Sequence, residues 1–207
     1  MIKPVHEWTQ HWDSKVDITD PVALNGYCTG GVPIARETYF KAVVNPVIER
    51  LDLEPHHRVL DIGCGSGLTL SEIEKRVAEA VGTDLSRTMI DKYQGEAKTH
   101  VCAAHELPFE GEQFDRILMV GVAIYFPDFD YYRQVMEKVL SLLRPDGIFL
   151  IGDLNIGKKP EGNQYQWYDR AQLLDYLDEL GHAYNLMSQN KLKRTINRRW
   201  DILIRKD

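Results

Sequence analysis

Three glycines and two carboxylates at fixed spacing have the clearest chemical meaning in this chain. Val59-Leu60-Asp61-Ile62 is an apolar run interrupted by one acid, and it leads into Gly63-Cys64-Gly65-Ser66-Gly67. Alternating glycines remove the Cβ atoms that would hold a ligand away from the backbone. Seventeen residues beyond Gly67, Val81-Gly82-Thr83-Asp84-Leu85-Ser86 ends a second apolar run on a carboxylate. Folded as strand, loop, helix and strand, this segment sets the glycines against a nucleoside and Asp84 on its ribose hydroxyls, where a carboxylate makes two charge-assisted hydrogen bonds. The register argues against a nicotinamide dinucleotide. That fingerprint is G-x-G-x-x-G, whereas here the third glycine comes one residue early and Leu68 follows it.

The elements that must position these groups follow from periodicity. From residue 58 onward apolar runs alternate with helical patterns, the signature of a parallel sheet covered on both faces. Strands are expected at 58–62, 79–83, 98–102, 114–120 and 146–152, with helices near 68–76, 87–95 and 129–143. The first helix should open at the glycine loop and turn its unpaired N–H groups and positive dipole end to the ligand. Ser86 should cap the second. A further helix is expected over 169–180, with Leu173, Leu174, Leu177 and Leu180 at helical spacing and Gly181 as its stop, followed by strands at about 183–190 and 198–205. In an open sheet of this kind ligands lie beyond the carboxyl ends of the strands, which selects Tyr125 and Asp153 as groups near a reacting centre. Asp153 is a candidate general base or ammonium ligand, and equally a turn cap in Gly152-Asp153-Leu154-Asn155.

The glycine segment resembles the first motif of the class I S-adenosylmethionine (AdoMet) dependent methyltransferases, hydrophobic-hydrophobic-D/E-x-G-x-G-x-G. Val101-Cys102-Ala103-Ala104-His105-Glu106-Leu107-Pro108-Phe109 is similar to the family's G-D-A-x-x-L-P-F segment, with Ala103 in place of the aspartate that takes the adenine amino group. Phe114 to Asp128 resembles its fourth strand and following loop, and Lys138 to Gly147 its turn into the fifth strand. The resemblance covers about residues 58–152. It implies a Rossmann-like α/β fold with a seven-stranded, mostly parallel sheet in the order 3-2-1-4-5-7-6, one strand antiparallel, and helices on both faces. It also implies AdoMet as cofactor and S-adenosylhomocysteine (AdoHcy) as product. Asp61 would sit near the ammonium; Gly63 and Gly65, with Cys64 between them, would approach the methionine portion, and Val120 would close against it. Asp84 would take the ribose, and adenine would lie between Leu85 and Met89 against Ala103, Ala104 and His105. Tyr27 is a candidate cover for the methyl end. The catalytic candidates are Asp153, Tyr125 and His105, and His6 and His11 are further possible bases because histidine titrates near neutrality.

At 207 residues and 43% apolar composition the chain has material for one core. The expectation is a single methyltransferase domain, 1–207, with residues 1–57 as an N-terminal helical cap and 58–207 as the AdoMet-binding core. The cap carries Trp8 and Trp12, a turn at Gly30-Gly31, and a helix from about Pro33 to Leu51 that Pro46 should kink or interrupt. Three cysteines without a C-x-x-C pair suggest neither a disulfide framework nor zinc. No metal is expected among the seven histidines, since adjacent His56 and His57 should point apart. A net charge of −6 disfavours nonspecific nucleic-acid binding. The basic cluster Lys191, Lys193, Arg194, Arg198 and Arg199 is read as a solvated hairpin turn. Lys158 and Lys159, in the loop from Asn155 to Gln166, are read as solvated charge or as contacts to an anionic acceptor. No long apolar run or signal peptide is seen, so a cytoplasmic protein without a membrane partner is expected. The expected activity is methyl transfer to an O or N atom of a small molecule. The competing classes are a non-catalytic AdoMet sensor or interaction module, a nicotinamide-dependent reductase and an RNA methyltransferase.

Overall fold

The computed structural model describes residues 3–29, 32–111, 113–189 and 199–207. It begins with α1 (Val5–Asp13) and α2 (Pro21–Leu24). Pro21 starts α2 where a missing N–H costs nothing. Asp20 caps that helix by accepting from Ala23 N–H at 2.8 Å. A short hairpin follows, β1 (Cys28–Thr29) against β2 (Val32–Pro33). Helical backbone then runs through α3 (Arg36–Tyr39), a π-helical turn (Phe40–Val44) and α4 (Asn45–Leu51). The expected interruption at Pro46 is met by that widened turn, which precedes the proline and absorbs its missing N–H without breaking the helical path. Asp52 ends α4 in the left-handed conformation, φ 48°.

The sheet strands are β3 (Arg58–Ile62), β4 (Glu79–Asp84), β5 (Lys98–Val101), β6 (Phe114–Val120), β7 (Leu143–Asn155), β8 (Ala183–Gln189) and β9 (Arg199–Arg205). They are ordered β5-β4-β3-β6-β7-β9-β8. Counted along the chain this is the expected 3-2-1-4-5-7-6, with β9 antiparallel to both neighbours and the other neighbouring pairs parallel. Successive side chains of a strand face opposite sides. On one side Leu60, Ile62, Ile117 and Met119 pack under α7 (Phe129–Leu142) and α8 (Arg170–Glu179); on the other Val59, Leu118 and Leu150 pack with Val47 and Leu51 of α4. Helix α4 therefore covers the sheet, and the segment ahead of residue 45 is what reaches the carboxyl ends of the strands.

Two helices are shorter than their patterns suggest. The one after the glycine loop is α5 (Leu70–Ile73), four residues where 68–76 was expected, so a dipole built over several turns does not form there. The next is α6 (Arg87–Asp91), with Ser86 capping it as expected by accepting from Met89 N–H at 3.2 Å. Strand β7 is longer than the expected 146–152 and carries a bulge: its register against β9 passes from Ile151↔Ile202 to Leu154↔Trp200, one extra residue on the β7 side. Residues 190–198, which include Lys191, Lys193, Arg194 and Arg198, lie outside the described residues. Among the described residues no helix is long and apolar enough to cross a membrane.

Candidate active site

The glycine loop is folded onto the end of β4. Gly63 and Cys64 donate their N–H groups to Thr83 O at 2.7 and 2.9 Å, and Gly65 N–H donates to Asp84 Oδ2 at 2.9 Å. Gly63 and Gly65 have φ of 70° and 59°, values that disfavour a side chain. A Cβ on Gly63 would stand 2.2 Å from Val122 Cγ2, and one on Gly65 would stand 2.1 Å from Asn25 Oδ1. Asp84 also accepts from Ser86 N–H at 2.9 Å through Oδ1. Burial pushes its carboxyl above the usual range, while the backbone N–H groups oppose the shift.

These groups border a cavity of about 240 Å³ at the carboxyl ends of β3, β4, β6 and β7. Of the candidates from sequence, its wall includes Gly63, Gly65, Asp84, Leu85, Met89, Ala103, Ala104, Val120, Tyr27, Tyr125 and Asp153. Five candidates are not on it: the further bases His6 and His11, and three others. Asp61 shares the strand parity of Val59 and is fully buried behind the loop. Its Oδ2 has no hydrogen-bond partner among the described residues, and burial with the nearby Asp84 pushes its carboxyl up to about 8. Cys64 turns into the core beneath α5, where a Cβ on Gly82 would meet its Sγ at 2.8 Å. His105 lies behind Tyr131, its Nδ1 2.8 Å from the Tyr131 hydroxyl, and Tyr131 occupies the wall in its place.

The other end of the cavity is built on the β7 bulge. The extra residue places Asp153 in the left-handed conformation, φ 64°. Its N–H donates to the buried Asp201 carboxylate at 3.0 Å. Arg50 and Gln189 hold Asp201 from behind. Arg199, at the start of β9, donates to Asp153 O at 3.1 Å, and its Nε lies 3.6 Å from Asp153 Oδ1. A Cβ on Gly121 would be 3.6 Å from the Tyr27 hydroxyl and 3.8 Å from Asp153 Oδ2, so the three residues converge.

Several wall residues were not among the candidates. Trp8 and Trp12 enter from one face of α1, and their i, i+4 spacing was the available signal. Tyr165 comes from the loop after β7, which is fixed by Gln166 N–H to Ile124 O at 2.8 Å and Asn155 Nδ2 to Gln166 O at 2.9 Å. Lys158 and Lys159 of that loop are not on the wall. Arg199 had been grouped with the solvated basic cluster, yet its side chain is 18% exposed and faces the cavity. The histidine pair also departs from expectation. The rings of His56 and His57 are 4.6 Å apart, and with Glu54 they bring three potential metal-ligating atoms within 4.8 Å, at the opposite end of β3 from the cavity.

The residues present suit AdoMet at the Asp84 end. The glycine cradle is one a side chain would fill, Asp84 is fixed at its rim, and Leu85, Met89, Ala103 and Ala104 form an apolar slot beside it. A profile of the family described as "Methyltransferase domain" matches residues 59–147. The chain is 28% identical over 145 residues to the methyltransferase GfsG of Streptomyces halstedii, covering 65% of this chain and 48% of that protein. It thus spans less than half the length of the curated relatives it matches first. Among solved structures it resembles the [4+2]-cyclase SpnF, with a TM-score of 0.76 at 16% identity, covering 100% of this chain and 97% of that one. It also resembles phosphoethanolamine N-methyltransferase 1 of Haemonchus contortus in complex with phosphoethanolamine and AdoHcy. That TM-score is 0.72 at 17% identity, covering 97% of this chain and 48% of that one. At these identities the structural likeness establishes the fold.

Proposed function

We propose that this chain is a class I AdoMet-dependent methyltransferase that transfers a methyl group from AdoMet to an oxygen or nitrogen atom of a small molecule, a reading supported by the methyltransferase-domain match over residues 59–147 and by the likeness to proteins named as methyltransferases. The observation that carries this reading is the single cavity wall that has Gly63, Gly65 and Asp84 at one end and Asp153 and Tyr27 at the other. The cofactor supplies an activated methyl on a sulfonium. The chain's own residues hold and aim. Asp84 accepts the ribose hydroxyls, the glycine backbone borders the methionine portion, and Leu85 and Met89 flank the adenine. Asp61, behind the loop and off the wall, is protonated in the ligand-free fold and would supply negative charge only on ionising as the cofactor's ammonium binds. At the acceptor end Asp153 takes the proton of a hydroxyl or orients an amine, and Tyr27 covers the point where the two ligands meet. Most of the acceleration then comes from proximity and alignment. A cavity of about 240 Å³ roofed by α1 favours a metabolite over a protein or RNA segment.

Calorimetric titration of AdoHcy into the wild type and Asp84→Ala tests the cofactor assignment. Micromolar binding that is lost in the variant is the expected result; no binding to the wild type would sink it.

A second reading is kept by Ala103, which cannot take the adenine amino group as an aspartate does. A ligand-binding module without methyl transfer, or another reaction in the same cavity, would tolerate that loss, and one fold neighbour is described as a [4+2]-cyclase. This reading requires AdoHcy binding without turnover on any acceptor.

A further inference from the structure

Four aromatic rings converge on the acceptor end from three separate segments. Trp8 and Trp12 come from α1, Tyr125 from the turn after β6 and Tyr165 from the loop after β7. Trp8 meets Tyr125 edge-on at 4.6 Å and stacks on Tyr165 at 5.6 Å, and Trp12 meets Tyr125 edge-on at 5.7 Å. The stacked pair is too close to admit a ring between its members, so a ligand must lie against this wall rather than inside it. Trp8 is 1% exposed, and its Nε1 has no hydrogen-bond partner among the described residues. A buried N–H without an acceptor is costly, and here it belongs to a residue of the cavity wall.

The charges around the rings select among aromatic-binding ligands. Cations are drawn to indole faces. Here Lys3 Nζ already stands 5.1 Å from the centre of the Trp8 ring and Lys15 Nζ 3.8 Å from that of Trp12. The two indoles thus already carry cations that an ammonium ligand would have to displace, and Arg199, paired with Asp153, adds a third cation at the wall itself. An electron-rich planar ligand would meet aromatic surface, positive potential, an indole donor and the Asp153 carboxylate.

Resting on the methyltransferase reading, we infer that the acceptor is a planar aromatic alcohol. It packs against the aromatic wall of Trp12, Tyr125 and Tyr165 that Trp8 backs, with its hydroxyl at Asp153. The phenolic O–H proton passes to the Asp153 carboxylate. The oxygen forms its bond to the methyl carbon as the carbon–sulfur bond breaks and leaves its electron pair on sulfur, giving an aryl methyl ether and AdoHcy.

Binding tests this without turnover. Quenching of tryptophan fluorescence and calorimetry with 2-naphthol, decahydro-2-naphthol and choline, each with and without saturating AdoHcy, separate the ligand classes. The aromatic alcohol should bind about tenfold or more tighter than its saturated analogue, and choline should not bind. Trp8→Phe, which keeps a ring and removes the N–H, should weaken 2-naphthol about 2–10-fold while leaving AdoHcy affinity in place. Tyr165→Leu, in a loop remote from the glycine cradle, should weaken it similarly. Equal binding of the saturated alcohol, tighter binding of choline, or 2-naphthol affinity unmoved in both variants would each overturn the inference. If AdoHcy binds and 2-naphthol does not, the aromatic acceptor falls and the methyltransferase reading stands. If AdoHcy itself fails to bind, the underlying reading falls.

Discussion

Ser86 Oγ donates to Asp13 Oδ1 at 2.5 Å, so the residue that caps α6 also holds the end of α1. Thr88 adds two bonds, from its N–H to Asp13 Oδ1 at 3.3 Å and from its hydroxyl to Asp13 O at 3.2 Å. The roof that carries Trp8 and Trp12 is thereby fastened to the segment that carries Asp84. The cavity is about 240 Å³ in volume. Small-molecule sites occupy roughly 300–1,000 Å³, so a ligand larger than this cavity requires its wall to open, and α1 is a part of that wall that Asp13 ties down. Asp13→Ala removes hydrogen bonds to a charged group, each worth about 1.5–3 kcal/mol where buried and less at this partly exposed position. The variant should show faster amide exchange over residues 5–13 and faster AdoHcy release, with little change in global unfolding. Unchanged exchange would mean that ring packing alone holds the roof.

Asp61 has a pH signature of its own. Burial raises its carboxyl from 3.8 to about 8, so the ligand-free fold favours the protonated form. That contribution to stability is fully present below the unfolded pKa and is lost as pH rises through the folded value. Asp61→Asn should therefore unfold at a higher temperature than the wild type at pH 8, with the gap narrowing at pH 5. AdoHcy should stabilise the wild type more than the variant, because only the carboxylate favours a nearby ammonium. A gap of the same size at both pH values would show that Asp61 is not the titrating group.

Most strands stood where apolar runs bounded by turn chemistry put them, and their order is the one the resemblance to class I methyltransferases implied. Helix lengths were less legible. The pattern from Leu68 to Arg76 allowed two turns, but only Leu70–Ile73 forms α5, where Leu70 packs close over Gly82. Asp84 could be placed from its position at a strand end, whereas Asp61 could not. The motif names the residue, but strand parity turns its side chain to the face where Val59 packs. The acceptor end was least legible. Asp153 reaches the cavity through a bulge that no residue type in β7 declares, and Tyr165 and Arg199 arrive from segments whose local patterns say loop and solvated turn. Their meeting depends on tertiary packing.

Gly63→Ala tests the cradle. Gly63 has a φ of 70°. Placing an alanine in this left-handed region costs about 1–2 kcal/mol. The added Cβ would also stand 2.2 Å from Val122 Cγ2. AdoHcy affinity should fall more than tenfold. Adding Val122→Ala should recover only part of the loss, because it relieves the contact and leaves the backbone strain. Complete recovery in the double variant would assign the whole effect to crowding.

Arg199 and Asp153 make the last prediction. The guanidinium Nε lies 3.6 Å from a carboxylate oxygen, with side-chain exposures of 18% and 13%. The guanidinium also donates to Asp153 O at 3.1 Å, so it grips both the side chain and the backbone of the bulge. Arg199→Ala removes both contacts and should lower the rate of methyl transfer about tenfold or more while leaving AdoHcy affinity within a few-fold, because the glycine cradle lies at the other end of the cavity. Arg199→Lys keeps a cation but loses the planar donor set, so it should recover only part of the rate. An unchanged rate in Arg199→Ala would show that the bulge and the Asp201 carboxylate, which accepts from Asp153 N–H, hold Asp153 in place without the arginine.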